Sequence, residues 1–407
     1  MSIHQIRRII KKCGQIFWNA CESGNLPLVK MLHKMSIKCG TSIDTTVIDD
    51  KDSNCLMIAF CSANDKVVNY LIKHGIGIHY VSSKYGNILN AICSDGYGVC
   101  HRWVERLIQK GVNSQPLDDE GNTLFLSVCR YGKLRTVKLV QSLGFNIHQC
   151  NSEGKNAIHL MCGSERNEVN LDVLKYLISL GIDVNKQAND GSTALMYARY
   201  KHAKLLLASG CNIDIIDNEG RTSLMIACSN FRWKYAKLLI EHGANIHVVD
   251  ENGRNAFIEA CSLGCPLSLM KMFVASGINT EYYDHRGYNA LMASRFNIKK
   301  IKVFSYLLSV HTNIYHTDHN GYNIFDQLAI PNNSDDAIER LKLLLRCNVI
   351  GLHLNKITNP AVLELLTNAN IINNNLECET DIQRFHVACV CGDLREVKKL
   401  VINIKKK

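Results

Sequence analysis

The chain has 407 residues, 46% of them hydrophobic and 21% charged, with 18 cysteines and a net charge of +10. That length exceeds the roughly 250–300 residues at which a single core stops growing, and no run approaches the ~20 consecutive apolar residues of a membrane-spanning helix. Met1 to Cys21 mixes Arg7, Arg8, Lys11 and Lys12 into its apolar residues. This leaves no uninterrupted apolar stretch for a secretory signal and predicts an intracellular protein, cytoplasmic or nuclear.

Taken in chain order, Gln15 to Leu32 predicts a first helix pair, with Gly24 in its loop. Residues 50–78 and 84–112 read as two looser copies, each ending in an apolar helix closed by Gly75 or Gly111. From 118 to 315 the chain is regular. Gly121, Gly154, Gly191, Gly220, Gly253, Gly287 and Gly321 recur at gaps of 33, 37, 29, 33, 34 and 34 residues. A period in this range marks stacked units, each too small to bury its own apolar face. The long gap predicts a lengthened interhelix loop near Ser164 to Asn170. The short one predicts a turn through Arg199 to His202 without a glycine.

The clearest copy begins Asp217-Asn218-Glu219-Gly220, the composition of a tight turn whose glycine can take positive φ. Thr222 follows as a helix N-cap, and Thr123, Asn156, Thr193, Asn255, Asn289 and Asn323 hold the same place in the other copies. Each cap contributes about 1 kcal/mol. Leu224, Ala227 and Cys228 give a first helix its apolar face; Ala236, Leu239 and Ile240 give the second, at i, i+3, i+4 spacing. Gly243 closes it, as Gly144, Gly181, Gly210 and Gly277 close theirs, in the manner of left-handed C-caps.

This pattern resembles the ankyrin repeat, with the usual Thr-Pro-Leu-His signature degraded to Thr222-Ser223-Leu224-Met225, Thr193-Ala194-Leu195-Met196 and Asn156-Ala157-Ile158-His159. The resemblance implies an all-α solenoid of stacked helix-turn-helix units with β-turn fingers. It would be one continuous array over 13–403 of about ten to twelve repeats, with residues 1–12 a basic cap. Copies are degenerate over 13–112 and 318–375, where Pro331-Asn332-Asn333-Ser334 reads as a loop, Ala337 to Leu345 as a helix, and Pro360 as a helix start. A terminal pair over 379–403 recovers the pattern, so an F-box-like C-terminal module is not expected. The Ile-, Asn- and Lys-leaning composition is similar to ankyrin proteins of giant amoebal viruses.

The cysteines follow the repeat. Cys129, Cys162, Cys228 and Cys261 each lie eight residues after a repeat glycine, and Cys21, Cys61, Cys93 and Cys389 take that place in looser copies. A shared register is what packing produces, so these read as buried structural thiols in a reducing compartment, with neither disulfides nor metal. The loop histidines His79, His148 and His247 would sit one repeat apart, roughly 10 Å, against metal–nitrogen bonds of ~2 Å. They read as solvated.

No nucleophile elbow, phosphate loop or metalloprotease motif occurs, so the chain reads as non-catalytic and without cofactor. The basic residues are spread along it and no nucleic-acid motif accompanies them, which argues against nucleic acid and for solvated helix faces. A monomeric scaffold binding a protein partner by its concave face and turn tips is the predicted function, with an effector role on host proteins implied by the viral resemblance. A nucleic-acid-associated protein and a ubiquitin-ligase adaptor are the alternatives. Arg221, Arg254, Arg286, Tyr288 and Tyr322 flank the turn glycines, and Trp233 lies where the family places a loop. Tyr, Trp and Arg dominate interface hot spots, so these six are the candidate contact residues.

Overall fold

From Asp118 onward every finger but the one at Ala188 is a turn built by one acidic or amide side chain. Asp217 Oδ1 accepts the amides of Glu219 at 3.0 Å and Arg221 at 2.8 Å, and the Gly220 amide returns to the Asp217 carbonyl at 3.0 Å. Asp250, Asp284 and Asp318 repeat this bond for bond, and Asn151 does so through Glu153 and Lys155. An antiparallel bridge such as Val249 to Asn255 or Tyr283 to Asn289 then makes the turn a short finger.

The computed structural model describes residues 14–38, 52–94, 101–113, 117–131, 133–163, 170–296, 301–310, 313–329, 335–347, 357 and 359–368. The predicted loops at 164–169 and 331–334, the residues 1–12, Cys389 and the helix pair over 379–403 lie outside them. The chain divides into two units, Met1–Asn212 and Ile213–Lys407.

In unit 1, first helices at 14–22, Cys55–Cys61, Ile88–Ser94, Leu124–Tyr131, Ala157–Cys162 and Ala194–Tyr197 alternate with second helices at Leu26–Lys38, Asp65–His74, His101–Gln109, Leu134–Gln141, Leu171–Ser179 and Tyr200–Ala208. Unit 2 alternates Ser223–Ser229, Ala256–Ser262, Ala290–Ala293 and Ile324–Ala329 with Trp233–Glu241, Leu267–Ala275, Ile301–Ser309 and Asp335–Arg346, and adds Pro360–Asn368. Among the described residues the only strands are the two-residue pair Val81–Ser82 and Gly86–Asn87. The fold is therefore a repeat array, as the glycine spacing predicts, and all-α, as the ankyrin resemblance implies. Each unit has its own apolar layers, with Phe17 and Phe125 fully buried in unit 1 and Phe257, Phe273, Phe304 and Phe325 in unit 2.

The turn glycines are needed twice over. Gly287 has φ +78°, and a Cβ there would lie 2.9 Å from the backbone nitrogen of His319 on the next finger. Left-handed backbone and close approach thus converge on one residue type. The caps behave as predicted, and the asparagines do more. Asn156 Oδ1 accepts from Ile158 and His159 while its Nδ2 donates to the Asp183 carbonyl at 2.8 Å, in the extended linker that ends the same repeat. Asn54 and Asn289 make the same reach to Gly77 and Asn313. Thr222 caps only, its Oγ1 accepting from Met225 at 3.4 Å.

Two expectations are corrected. Cys61 is the last residue of its helix and half-buried; Cys93, Cys129, Cys162, Cys228 and Cys261 hold the buried position, where Cys61's own helix places Phe60. Burial pushes these thiols up, Cys162 to about 12. The 29-residue spacing is absorbed differently from the predicted turn at Arg199 to His202. The first helix shrinks to Ala194–Tyr197, Ala198 and Arg199 make the connection, and Tyr200 already starts the second helix. His202 is consequently not a turn residue but a buried one.

Candidate partner-binding surface

The finger tips are joined to one another by backbone hydrogen bonds. In unit 1 the Ser152 amide donates to Glu120 O at 3.0 Å and Asn189 to Glu153 O at 2.8 Å; in unit 2 Glu251 donates to Glu219 O, His285 to Asn252 O and His319 to Arg286 O, at 3.0 to 3.2 Å. Side chains beside these bonds project from a preordered edge, which lowers the entropy lost when a partner docks.

In unit 2 this edge carries most of the residues singled out from sequence. Arg221 is held inside its own finger, its guanidinium bonded to Asp217 at 2.9 Å and Glu219 at 3.1 Å. Burial pulls the Arg221 guanidinium's pKa down, but these carboxylates outweigh it and the net shift is upward. Arg254 bridges fingers, reaching Glu259 and the next finger's Asp284, both at 3.4 Å. Arg286 is exposed at its tip. Tyr288 is half-buried; the Arg295 guanidinium lies 4.7 Å over its ring and donates to its hydroxyl at 3.2 Å. Arg295 also bonds Gln327, which donates to Asp318 at 2.8 Å. Tyr322, half-buried, is tied by its amide to Asp318.

Trp233 is not with them. It opens the second helix Trp233–Glu241, so the whole first helix Ser223–Ser229 separates it from the finger. Beside it Phe231 is 58% exposed with φ +57°, the left-handed region that other copies fill with Gly24 or Gly264. The two rings meet edge to face at 5.8 Å.

Unit 1 holds a feature that the sequence reading missed: a cleft of about 250 Å³ under two successive fingers. Its walls are Glu120, Arg130, Glu153, Lys155 and Tyr197, and Gly163 leaves its floor without a side chain. Arg130 pairs with Glu120 at 2.9 Å and Lys155 with Glu153 at 2.7 Å, while the Lys155 ammonium lies 5.3 Å from the Tyr197 ring centre. Burial pulls Lys155 down, yet Glu153, Tyr197 and Asp190 outweigh it and hold it charged. Asp190 is likewise pushed up by burial but brought below its usual range by Ser192 and Tyr197, which donate to it. The available signal was the residue six after each turn glycine, where Leu160 and Tyr197 stand, both lining the cleft.

His159 lines the same cleft but is spent on structure. Its Nε2 donates to Ser192 O at 3.2 Å, joining one first helix to the following finger. His79, His148 and His247 are exposed, as predicted. Among the described residues no three His, Cys, Asp or Glu are grouped to hold a metal, and no helix is long and apolar enough to cross a membrane.

The family described as ankyrin repeats matches residues 124–217 and 199–282. The chain is 29% identical over 201 residues to the nuclear factor NF-kappa-B p105 subunit of Gallus gallus, covering 45% of this chain and 19% of that protein. It is 28% identical over 97 residues to ankyrin repeat domain-containing protein 53 of Homo sapiens, 24% of this chain and 18% of the relative. It is 29% identical over 141 residues to an ankyrin repeat protein of Acanthamoeba polyphaga mimivirus, 33% of this chain and 18% of the relative. In each case the match spans less than a fifth of the relative's length.

Proposed function

This chain carries ankyrin repeats, a protein-interaction fold, and from that premise we propose that it is a non-catalytic scaffold that captures a protein partner on its finger edge and first-helix face. The observation that carries this reading is the stitched row of finger tips. Exposed, varied side chains such as Glu153, Arg286 and Asn320 stand on a backbone frame that repeats bond for bond. A preordered edge of that kind favours recognition, and reaction would need a convergent nucleophile and base. The buried thiols fit a reducing, intracellular setting. An effector role on host proteins is the finer form of this proposal, and it follows from the giant-virus resemblance alone.

Arg221, Arg254, Arg286, Tyr288 and Tyr322 are the contact residues we assign in unit 2, with Trp233 as a separate contact. Proximity labelling in the native cell, compared between the natural chain and one with Arg254, Arg286, Tyr288 and Tyr322 changed to alanine, tests the site. Loss of specific labelled proteins is expected. An unchanged set would remove these residues from the interface, and an absence of any enriched protein from either chain would remove the scaffold reading.

A further inference from the structure

The charge of the chain is distributed unevenly. Residues 1–212 hold 25 Lys and Arg against 17 Asp and Glu, a net of +8, whereas 213–407 hold 22 against 20. Within unit 1 the two signs also favour different elements. The described finger tips expose Asp119, Glu120, Glu153 and Asp190 against one lysine, Lys84. The second helices expose lysine and arginine, with Asp65, Glu105 and Asp172 as their only acids.

Helical register lines up these cations. Lys30, Lys138, Lys175 and Lys204 each follow the buried residue at one fixed place on the first, fourth, fifth and sixth second helices of unit 1, namely Val29, Val137, Leu174 and Ala203. Asn69 takes that place on the second of these helices, after Val68, and its Oδ1 accepts from both Arg102 and Arg106 of the third. Glu105 takes it on the third, after Val104, with the exposed Arg102 and Arg106 on the same helix supplying positive charge beside it. Tyrosines of the next hairpin hold two of the ammonium groups, Lys30 at 5.9 Å from the Tyr70 ring centre and Lys138 at 5.3 Å from that of Tyr176.

We propose that this outer row of unit 1 docks an acidic polypeptide segment lying across the second helices, a surface additional to the finger edge and independent of it. Charge complementarity selects the sign, and spacing selects the polymer. Packed helices stand about 8–10 Å apart, so over the consecutive Lys138, Lys175 and Lys204 one cation recurs per roughly 10 Å. Three residues of extended chain span about the same distance, at 3.3–3.6 Å each. A segment with a carboxylate at every third position meets one cation on each of these three hairpins, with Asp172 off the row between contacts. A nucleic-acid strand carries a phosphate about every 3.4 Å, so most of its charges would face no cation on this row.

The test uses the full chain and a fluorescent peptide with glutamate at every third position and serine between, read by anisotropy at about 50 mM salt, where screening is weak. Binding is expected, and the combined change Lys138→Glu, Lys175→Glu and Lys204→Glu is expected to weaken it about tenfold or more. Lys237→Glu with Lys271→Glu, at the same register in unit 2, is expected to leave it unchanged. Should the triple glutamate variant lose its helical circular dichroism, the three Lys→Gln changes give the same reading, with severalfold weakening expected. Unchanged affinity in the triple variant, or equal weakening by the unit 2 pair, overturns the proposal. So does tighter binding of oligouridylate or of phosphatidylserine vesicles than of the peptide, since the row would then serve a nucleic acid or a membrane.

Discussion

The two units repeat one backbone device and differ in electrostatics. Both begin most of their regular hairpins with an Asx-type turn, a positive-φ glycine and a capped first helix, Ala188 standing in the Asx place in one finger of unit 1. Unit 1 carries a net +8 against +2 for residues 213–407. It also contains all of the described histidines whose pKa falls below the ordinary 6.5: His33, His159 and His202, each chiefly through burial. The scaffold is set by a few positions per repeat that geometry dictates, which leaves every other exposed or semi-buried position able to carry a different charge. Stability at neutral pH is therefore expected to follow the shared device, and its response to acid the differing side chains.

The largest effect is expected from striking the shared device in both units. Gly121 in unit 1 and Gly287 in unit 2 have φ of +73° and +78°, and a Cβ on either would come within 2.9 Å of the next finger's backbone nitrogen. Left-handed backbone costs a non-glycine residue about 1–2 kcal/mol, and the close approach adds to it. Gly121→Ala and Gly287→Ala are each expected to lose about 2–3 kcal/mol in chemical denaturation. A cost near zero for one and not the other would show that the units do not share the turn's energetics.

Acid separates the units. A histidine kept neutral by burial binds fewer protons folded than unfolded, so the stability it contributes is present above its unfolded value of 6.5 and declines as pH falls below it. His202 is the sharpest case, 2% exposed with both ring nitrogens buried and without a hydrogen-bond partner. The corresponding residues in unit 2 are Tyr235, Leu269, Val303 and Arg340, none of them a histidine. As pH falls from about 7.5 to 5.5, backbone opening, read as hydrogen-exchange protection relative to the intrinsic exchange rate at each pH, is expected to accelerate in unit 1 well before unit 2. His202→Leu is expected to stabilise the chain by 1 kcal/mol or more at the lower pH and by less at the higher. Equal acceleration in both units would dismiss the histidines as the cause.

What could be read from the sequence divides along the same line. Turn glycines, caps and the Cys129-type packing position have a fixed register, and each demands one narrow chemistry, so spacing alone locates them. The cleft beneath Glu120 and Glu153 was not legible because its lining is gathered from residues far apart in sequence, such as Glu120, Gly163 and Tyr197, and includes a glycine that offers no side chain to read. Arg254 and Tyr288 were visible as residue types, but not that Arg254 reaches Asp284 or that Arg295, outside the finger, lies over Tyr288. Side-chain partners across repeats depend on rotamers that periodicity does not encode.

A finer expectation concerns the caps. Asn156 and Thr222 look equivalent in sequence, yet only the asparagine also donates to the linker, at 2.8 Å. Asn156→Thr keeps an oxygen for the helix amides and removes that link, leaving Asp183 O to water. A loss of about 1 kcal/mol is expected, whereas Thr222→Asn is expected to be neutral or slightly stabilising. If both exchanges leave the melting temperature unchanged, the reach to the linker contributes nothing.

The smallest effect has the opposite sign. Phe231 holds φ +57° at a loop position that Gly24 and Gly264 fill elsewhere, and more than half of its surface faces solvent. Glycine would remove the left-handed penalty of about 1–2 kcal/mol. It would give back part of that through a more flexible unfolded chain and the lost edge contact with Trp233. Phe231→Gly is thus expected to stabilise unit 2 by about 0.5 kcal/mol, read as a small rise in denaturation midpoint with unchanged slope. A gain would mean that the aromatic ring is retained at a cost to folding, the usual signature of a contact made outside the chain. A loss would instead assign Phe231 to packing against Trp233.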